Sequence, residues 1–373
     1  MKNKILFVTN VDWFFISHRL VIAEEAKKNG FEVIVAAEDT GRSHEIIEKG
    51  IQFINLSFSR SGTNPIKELS TLIKFLRLYT KVKPDIIHHI TLKPVIYGSI
   101  IAKLLNFRNT INAVSGLGYN FTESRVNIIS KIMLRLMKYG FNKDLNFIFQ
   151  NKDDFNELSN LKVLSPRNTI HFIKGSGVNL QEFYPTVFTD FDRIKIVLPS
   201  RMLKDKGVME FHDAAIILKK KYSDKIQFIL AGMSDEDNKA GLSATLLEQW
   251  EDGMYFKWVG HQSDIFEVYK NSHIVVLPSY REGMPKTLIE ACAMGRAIIT
   301  TDAIGCRECV DEGINGFKVP IKDANSLANA IERLVNNPKR IIEMGIASRA
   351  KAEKEFDVNS VVKTHIEIYS QCL

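Results

Sequence analysis

At 373 residues, 45% hydrophobic and 25% charged, the chain is too long for one ordinary core and has the balance of a globular protein of two domains. Four cysteines are too few for a disulfide framework, and no stretch approaches the roughly 18 uncharged apolar residues of a spanning helix, so neither a secreted disulfide scaffold nor an integral membrane protein is expected. The net charge of +7 is unevenly divided: residues 1–190 carry 25 basic against 17 acidic side chains, residues 191–373 carry 25 against 26.

In chain order, Met-Lys-Asn-Lys leads directly into an apolar run at 5–9, too short for the apolar region of a signal sequence. It reads as a first strand and implies a cytoplasmic protein. The stretch Asp12-Trp13-Phe14-Phe15-Ile16-Ser17-His18-Arg19 then reads as the first βα loop. Strands follow at 32–37 and 86–89, the latter ending in His88 and His89, for which substrate contact and a structural hydrogen bond are equal alternatives. Between Arg60 and Lys143, fourteen basic residues face only Glu68, Asp85 and Glu123, and an anionic partner is expected there. Within that span residues 126–143 form a basic amphipathic helix carrying Lys131, Arg135, Lys138 and Lys143, the composition of a segment lying in a membrane interface. The alternative is a packed domain helix with a solvated basic edge.

A strand at 147–150 closes the first half, and the polar stretch 181–193 reads as a linker. Four further apolar runs, at 195–199, 227–231, 274–278 and 297–300, restart the βα rhythm. The architecture expected is α/β, two doubly wound Rossmann-like domains facing a cleft: residues 1–188, with a last helix (356–373) packed back on them, and residues 189–355. In such sheets the residues just after each strand carry the ligands.

Two of those loops carry chemistry. After the run 274–278 the chain reads Ser279-Tyr280-Arg281-Glu282-Gly283-Met284-Pro285-Lys286-Thr287-Leu288-Ile289-Glu290. Two carboxylates bracket a glycine-containing turn that opens a helix near Pro285. A helix N-terminus offers free N–H groups and a positive dipole end to a diphosphate, and Gly283 lets the backbone approach it. Glu282 stays in the loop, within reach of a sugar, while Glu290 lies just over a turn inside the helix, where it can accept from ribose hydroxyls. After the run 195–199 the chain reads Ser200-Arg201-Met202-Leu203-Lys204-Asp205-Lys206-Gly207, placing two cations at a strand end, where departing negative charge could be met without a metal.

These segments resemble glycosyltransferase family 4: the first its E-x7-E signature, the second the Arg and Lys that hold the donor diphosphate. Weaker likenesses extend over the chain: Gly177-Val178-Asn179 through Phe183, with Asn179 where the family has Asp; Gly260-His261 leading to Tyr269, similar to the base-binding stretch; and Gly305 with Glu308. An aromatic residue before Ser17-His18-Arg19, the Gly116-Leu117-Gly118 loop, and Glu-Gly-Met-Pro at 282–285 further resemble enzymes that extend polyprenyl-diphosphate sugars, of the N,N′-diacetylbacillosaminyl-diphospho-undecaprenol α-1,3-N-acetylgalactosaminyltransferase type.

The resemblance implies a retaining, metal-independent hexosyltransferase of GT-B fold. It would take a UDP-sugar, an N-acetylhexosamine, to a sugar on undecaprenyl diphosphate during surface polysaccharide or O-antigen assembly, as a peripheral protein on the inner face of the cell membrane. It requires no cofactor beyond the donor. Arg201, Lys206 and Glu282 are its catalytic candidates. Gly283, Met284, Pro285, Lys286, Thr287, Leu288, Glu290, Gly260 and His261 face the donor, and Ser17, His18, His89, Gly116 and Gly118 the acceptor. No metal site is expected: Asp190-Phe191-Asp192 and Asp235-Glu236-Asp237 are assigned no role, and Cys306-x-x-Cys309, with no second ligand pair, is read as packing. The rivals are a UDP-sugar 2-epimerase of the same fold and a nucleic-acid-binding protein; for the latter no stacking aromatics accompany the charge.

Overall fold

The computed structural model describes residues 2–58, 65–117, 128–188 and 190–373. It divides into two compact units, Met1–Ser176 with Asn359–Leu373, and Gly177–Val358.

The first unit runs β1 (Lys4–Val11), α1 (Asp12–Lys28), β2 (Glu32–Glu38), α2 (Ser43–Glu48), β3 (Gln52–Asn55), α3 (Pro65–Val82), β4 (Ile86–Ile90), α4 (Ser99–Leu104), β5 (Thr110–Val114), α5 (Ile128–Phe141), β6 (Asn146–Phe149), α6 (Lys152–Asn160) and β7 (Thr169–Phe172). Among the described residues its strands form one parallel sheet of order β3-β2-β1-β4-β5-β6-β7. The second unit runs β8 (Ile194–Pro199), α7 (Val208–Tyr222), β9 (Ile226–Ala231), α8 (Ala244–Trp250), β10 (Phe256–Trp258), α9 (Ile265–Lys270), β11 (Ile274–Leu277), α10 (Lys286–Ala293), β12 (Ala297–Thr301), β13 (Gly316–Val319), α11 (Ala324–Val335) and α12 (Pro338–Glu355). Its sheet, also parallel, has the order β10-β9-β8-β11-β12-β13.

Strand runs that read as continuously apolar do so because helices cover both faces. In β8, Ile196 and Leu198 enter one core with Phe211 of α7 and Leu327 of α11, while Val197 enters the other with Leu288 and Ile289 of α10. β11 alternates in the same way, Ile274 and Val276 against Val275 and Leu277.

The unit boundary falls at Gly177, not at 188, and the linker expected at 181–193 begins inside the second unit. Val178 is buried there and pairs with the chain on its return, its N–H donating to Phe356 O (2.8 Å) and its carbonyl accepting from Val358 N (3.1 Å). Arg349 of α12 then pins the segment by donating to Phe183 O at 2.8 Å. Phe356 is buried in this same core, so the returning helix, α13 (Val358–Gln371), gives the first unit residues from Asn359 rather than from 356.

α13 covers a polar interior. The Nδ1 of His88, in β4, lies 2.8 Å from Tyr369 Oη, and the ring stacks on His365 at 5.7 Å. Arg19 of α1 is buried beside them, 2% exposed, donating to His18 O at 2.8 Å. Next to His88, His89 accepts from Tyr79 Oη at Nε2 (2.6 Å) and donates from Nδ1 to Asn112 Oδ1 (2.7 Å). Burial holds His89 down to about 4 and His365 to about 3, and burial with the nearby His365 and Arg19 holds His88 well below the usual imidazole value.

Between pH 6.5, the unfolded imidazole value, and about 4 these histidines bind protons only in the unfolded chain, so the stability they allow is present above that window and is lost as pH falls through it. Urea unfolding of the first unit should be flat with pH above about 7 and weaken by about 1 kcal/mol per pH unit per histidine from 6.5 toward 4. A profile with no slope in that window would show that these rings are protonated in the folded state.

Candidate donor site at the ends of two neighbouring strands

β8 and β11 adjoin where the strand order of the second sheet reverses, the position at which open parallel sheets bind ligands outside their carboxyl ends. The loops leaving these strands are built against each other. Asp205 O accepts from Tyr280 N (2.9 Å) and Ser279 Oγ (3.0 Å), and Thr287 in the first turn of α10 donates to Pro199 O (2.9 Å) at the end of β8. Gly207 sits at φ +73°, and a Cβ there would lie 2.2 Å from Pro278 O, so the closeness of the two loops depends on its having no side chain.

This contact brings two of the three catalytic candidates together. Lys206 Nζ donates to Glu282 Oε1, and Ser279 Oγ lies 2.7 Å from the same oxygen. The Lys206 and Glu282 side chains are only 19% and 14% exposed. The loop backbone is fixed in turn by Glu282 N donating to Ile304 O at 2.9 Å. Arg201, on the same loop as Lys206, is 51% exposed and donates from Nη1 to Asp235 Oδ2 at 3.0 Å.

α10 begins at Lys286 with Pro285 as its N-cap in extended conformation, as the turn chemistry of the sequence requires. Gly283, Met284, Pro285 and Leu288 are buried, with Lys286 and Thr287 half-buried. Glu290 is 6% exposed, accepts from Tyr269 Oη at 3.0 Å and pairs with Lys286 Nζ at 3.3 Å. Burial raises its carboxyl above the ordinary value despite Lys286. Gly260 follows β10, its carbonyl accepting from Gly232 N (2.7 Å) in the loop after β9, and His261 beside it is exposed.

On the acceptor side several expectations change. Ser17 and His18 lie in helix α1 rather than a loop, because the helix begins directly after β1 at Asp12. The Asp12 carboxylate ties that start to the next loop by accepting from Thr40 N (2.7 Å) and Arg42 N (2.9 Å). His18 stacks on Phe14 at 4.2 Å. His89 is withdrawn as an acceptor contact, since it is fully buried with both ring nitrogens engaged. Gly116 follows β5 at φ +108°; Gly118 lies outside the described residues. Cys306 and Cys309 are buried, and burial pushes the Cys306 thiol up to about 12, which leaves it an inert packing group. Among the described residues no group of three or more His, Cys, Asp or Glu is arranged to hold a metal ion.

Two residues of this site make contacts that the sequence does not announce. Ser279 announces itself only as a hydroxyl immediately after a strand. Asp235, given no role as half of an acidic pair, instead meets Arg201.

Two parallel Rossmann-like units, the second with Lys206 and Glu282 paired at its switch point, have the architecture of the GT-B fold. Residues 4–151 match the family described as glycosyl transferase 4-like, and residues 193–337 that described as glycosyl transferases group 1. The chain belongs to these glycosyltransferases. It is 28% identical, over 96% of its length and 98% of the relative's, to the N,N′-diacetylbacillosaminyl-diphospho-undecaprenol α-1,3-N-acetylgalactosaminyltransferase of Campylobacter jejuni. It is 23% identical, over 82% of its length and 81% of the relative's, to the UDP-Gal:α-D-GlcNAc-diphosphoundecaprenol α-1,3-galactosyltransferase of Escherichia coli. Its fold matches that of Anabaena HepE, solved in complex with UDP, at a TM-score of 0.78 and 17% identity over the whole of both chains.

Gly207→Ala should lower the unfolding free energy by at least about 1–2 kcal/mol, the cost of a left-handed non-glycine residue before any clash is added. The control is Gly253→Ala, at φ +75° but with nothing within 4 Å of its Cβ. Equal losses by urea denaturation in the two variants would mean that the approach to Pro278 is not a constraint.

Proposed function

We propose that the chain is a retaining, metal-independent hexosyltransferase that moves a sugar from a UDP-sugar to a sugar carried on undecaprenyl diphosphate, as a step in surface polysaccharide assembly. The observation that carries this reading is the pairing of Lys206 with Glu282 across two touching loops at the switch point of the second sheet, with Arg201 on the same loop as Lys206. Departure of a nucleoside diphosphate develops negative charge, and preorganised cations lower the barrier by meeting it. Arg201 and Lys206 supply two such cations, so the reading needs neither metal nor cofactor. Lys206 donates to Glu282, and its ammonium has further donors for a phosphate oxygen of the sugar nucleotide. Glu282, anchored through Ser279, orients the sugar hydroxyls. Glu290, anchored through Tyr269 and Lys286, accepts from the ribose.

The acceptor class rests on the undecaprenyl-diphosphate substrates in the names of the C. jejuni and E. coli relatives, and the UDP donor on the ligand of Anabaena HepE and the name of the E. coli enzyme. An N-acetylhexosamine donor follows the C. jejuni relative, while galactose follows the E. coli one, so the donor panel must include both.

A peripheral position on the anionic inner face of the cell membrane is supported by the exposed surface of the first unit. No helix among the described residues is long and apolar enough to cross a membrane. α5 buries Met137 and Phe141 in the core while exposing Lys131, Ile132, Arg135, Lys138 and Tyr139. α3 exposes Leu69, Ile73 and Leu76, and its Lys74, Arg77 and Lys81 line a groove beside Ile54 and Leu56. Exposed apolar side chains among cations are what an anionic interface takes up.

Incubated with UDP-GalNAc, UDP-GlcNAc, UDP-Gal or UDP-Glc and a short polyprenyl-diphosphate-linked sugar, the enzyme should extend the lipid by one sugar with the anomeric configuration of the donor, and should do so in excess EDTA. Arg201→Ala and Lys206→Ala should each lower kcat by at least about a hundredfold. UDP release indifferent to the acceptor would instead identify a UDP-sugar 2-epimerase or a hydrolase.

Reversing Lys131, Arg135 and Lys138 to Glu should weaken binding to vesicles containing anionic lipid, on the scale of about 1 kcal/mol per charge, with UDP affinity retained. Unchanged vesicle binding would return α5 to the role of a packed helix with a solvated edge.

A further inference from the structure

The acidic triplet Asp235-Glu236-Asp237 lies in the loop after β9, which the donor-site reading leaves without a task. This loop is stitched to the one that carries Arg201. Met202 N donates to Met233 O (2.9 Å), Lys204 N to Ala240 O (2.8 Å) and Leu242 N to Met202 O (2.9 Å), and isolated bridges join Met202 to Ser234 and Leu203 to Gly241. At Gly232 the backbones touch: a Cβ there would lie 1.7 Å from Ser200 O. Asp235 is thus held opposite Arg201 by the main chain, its own carbonyl accepting from Asn238 N at 3.1 Å.

The ion pair itself is weak as a stabiliser. It is formed through one guanidinium nitrogen, between side chains 51% and 29% exposed, and such pairs contribute little to folding. Its electrostatic sense also opposes the task of Arg201, because a fixed anion beside a diphosphate-binding cation cancels part of the attraction.

We propose that Asp235 is a resident counter-anion of the donor site. Its carboxylate occupies Arg201 while the site is empty, yields the guanidinium to the arriving diphosphate, and recaptures it after transfer, so that the nucleoside diphosphate is held less tightly and leaves sooner. This rests on the reading of Arg201 as a diphosphate ligand. The exchange requires no bond chemistry: Arg201 keeps its proton throughout and trades one anionic oxygen for another.

The test is calorimetric titration of UDP, with stopped-flow measurement of its dissociation, on the full chain and on Asp235→Asn, Arg201→Gln and the double variant. Asp235→Asn keeps the size and a hydrogen-bonding oxygen while removing the charge, and Asp235→Ser serves if the Asn variant folds poorly. Removing the charge should tighten UDP roughly fivefold, the effect of one unit charge about 4 Å from another in a watery surrounding, and slow its dissociation correspondingly. In the Arg201→Gln background the same substitution should change UDP affinity much less, because the competition it relieves is gone. Unchanged or weaker UDP binding by Asp235→Asn, with Arg201→Gln weakened, would overturn the counter-anion and make Asp235 a positioner of Arg201. UDP affinity unaffected by Arg201→Gln would overturn the donor-site reading itself.

Discussion

Everything at the candidate donor site depends on two loops lying closer than side chains normally permit. The turn after β8 reaches Pro278 because Gly207 has no Cβ, and from that approach follow the backbone bond between Asp205 and Tyr280 and the meeting of Lys206 with Glu282. A lysine and a glutamate 76 residues apart become a shielded pair by this route. Their low exposure matters, because a charge pair screened from water is held in place more firmly and acts on a bound anion more strongly than the same pair at the surface.

The two cations of the site are therefore unlike each other. Lys206 is shielded, carboxylate-bound and tied to the loop that would touch the sugar. Arg201 is exposed and paired with a carboxylate on a different strand's loop. One suits fixed geometry, the other a ligand that must be exchanged at each turnover.

Much of this was legible in the sequence, for a physical reason: in a parallel sheet each functional loop follows a strand, and strands buried on both faces stand out as unbroken apolar runs. The runs before Arg201 and Glu282 located both loops, and Pro285 with Gly283 located the start of α10. What the sequence could not reveal were partnerships across the chain. Asp235 looks like a chance acidic pair until β9 is known to neighbour β8, and Ser279 like a turn residue until its hydroxyl is found on Glu282. His89 misled for the opposite reason. A polar residue at a strand end looks available, yet register with β5 sets Asn112 beside it and α3 supplies Tyr79. The domain boundary was displaced because a polar, proline-bearing stretch looks like a linker, whereas Val178 and Phe183 are packed against the second core.

That the chain leaves the first unit at Ser176 and re-enters it at Asn359 bears on how the protein is made. Synthesis runs from one end, so the ribosome finishes the whole of the second unit before it emits the residues that cover His88 and Arg19. The second unit, contiguous in sequence, has all of its strands available as soon as it emerges, whereas the earlier-made sheet waits with a polar interior uncapped. The unit begun first is thus the one whose sequence is completed last.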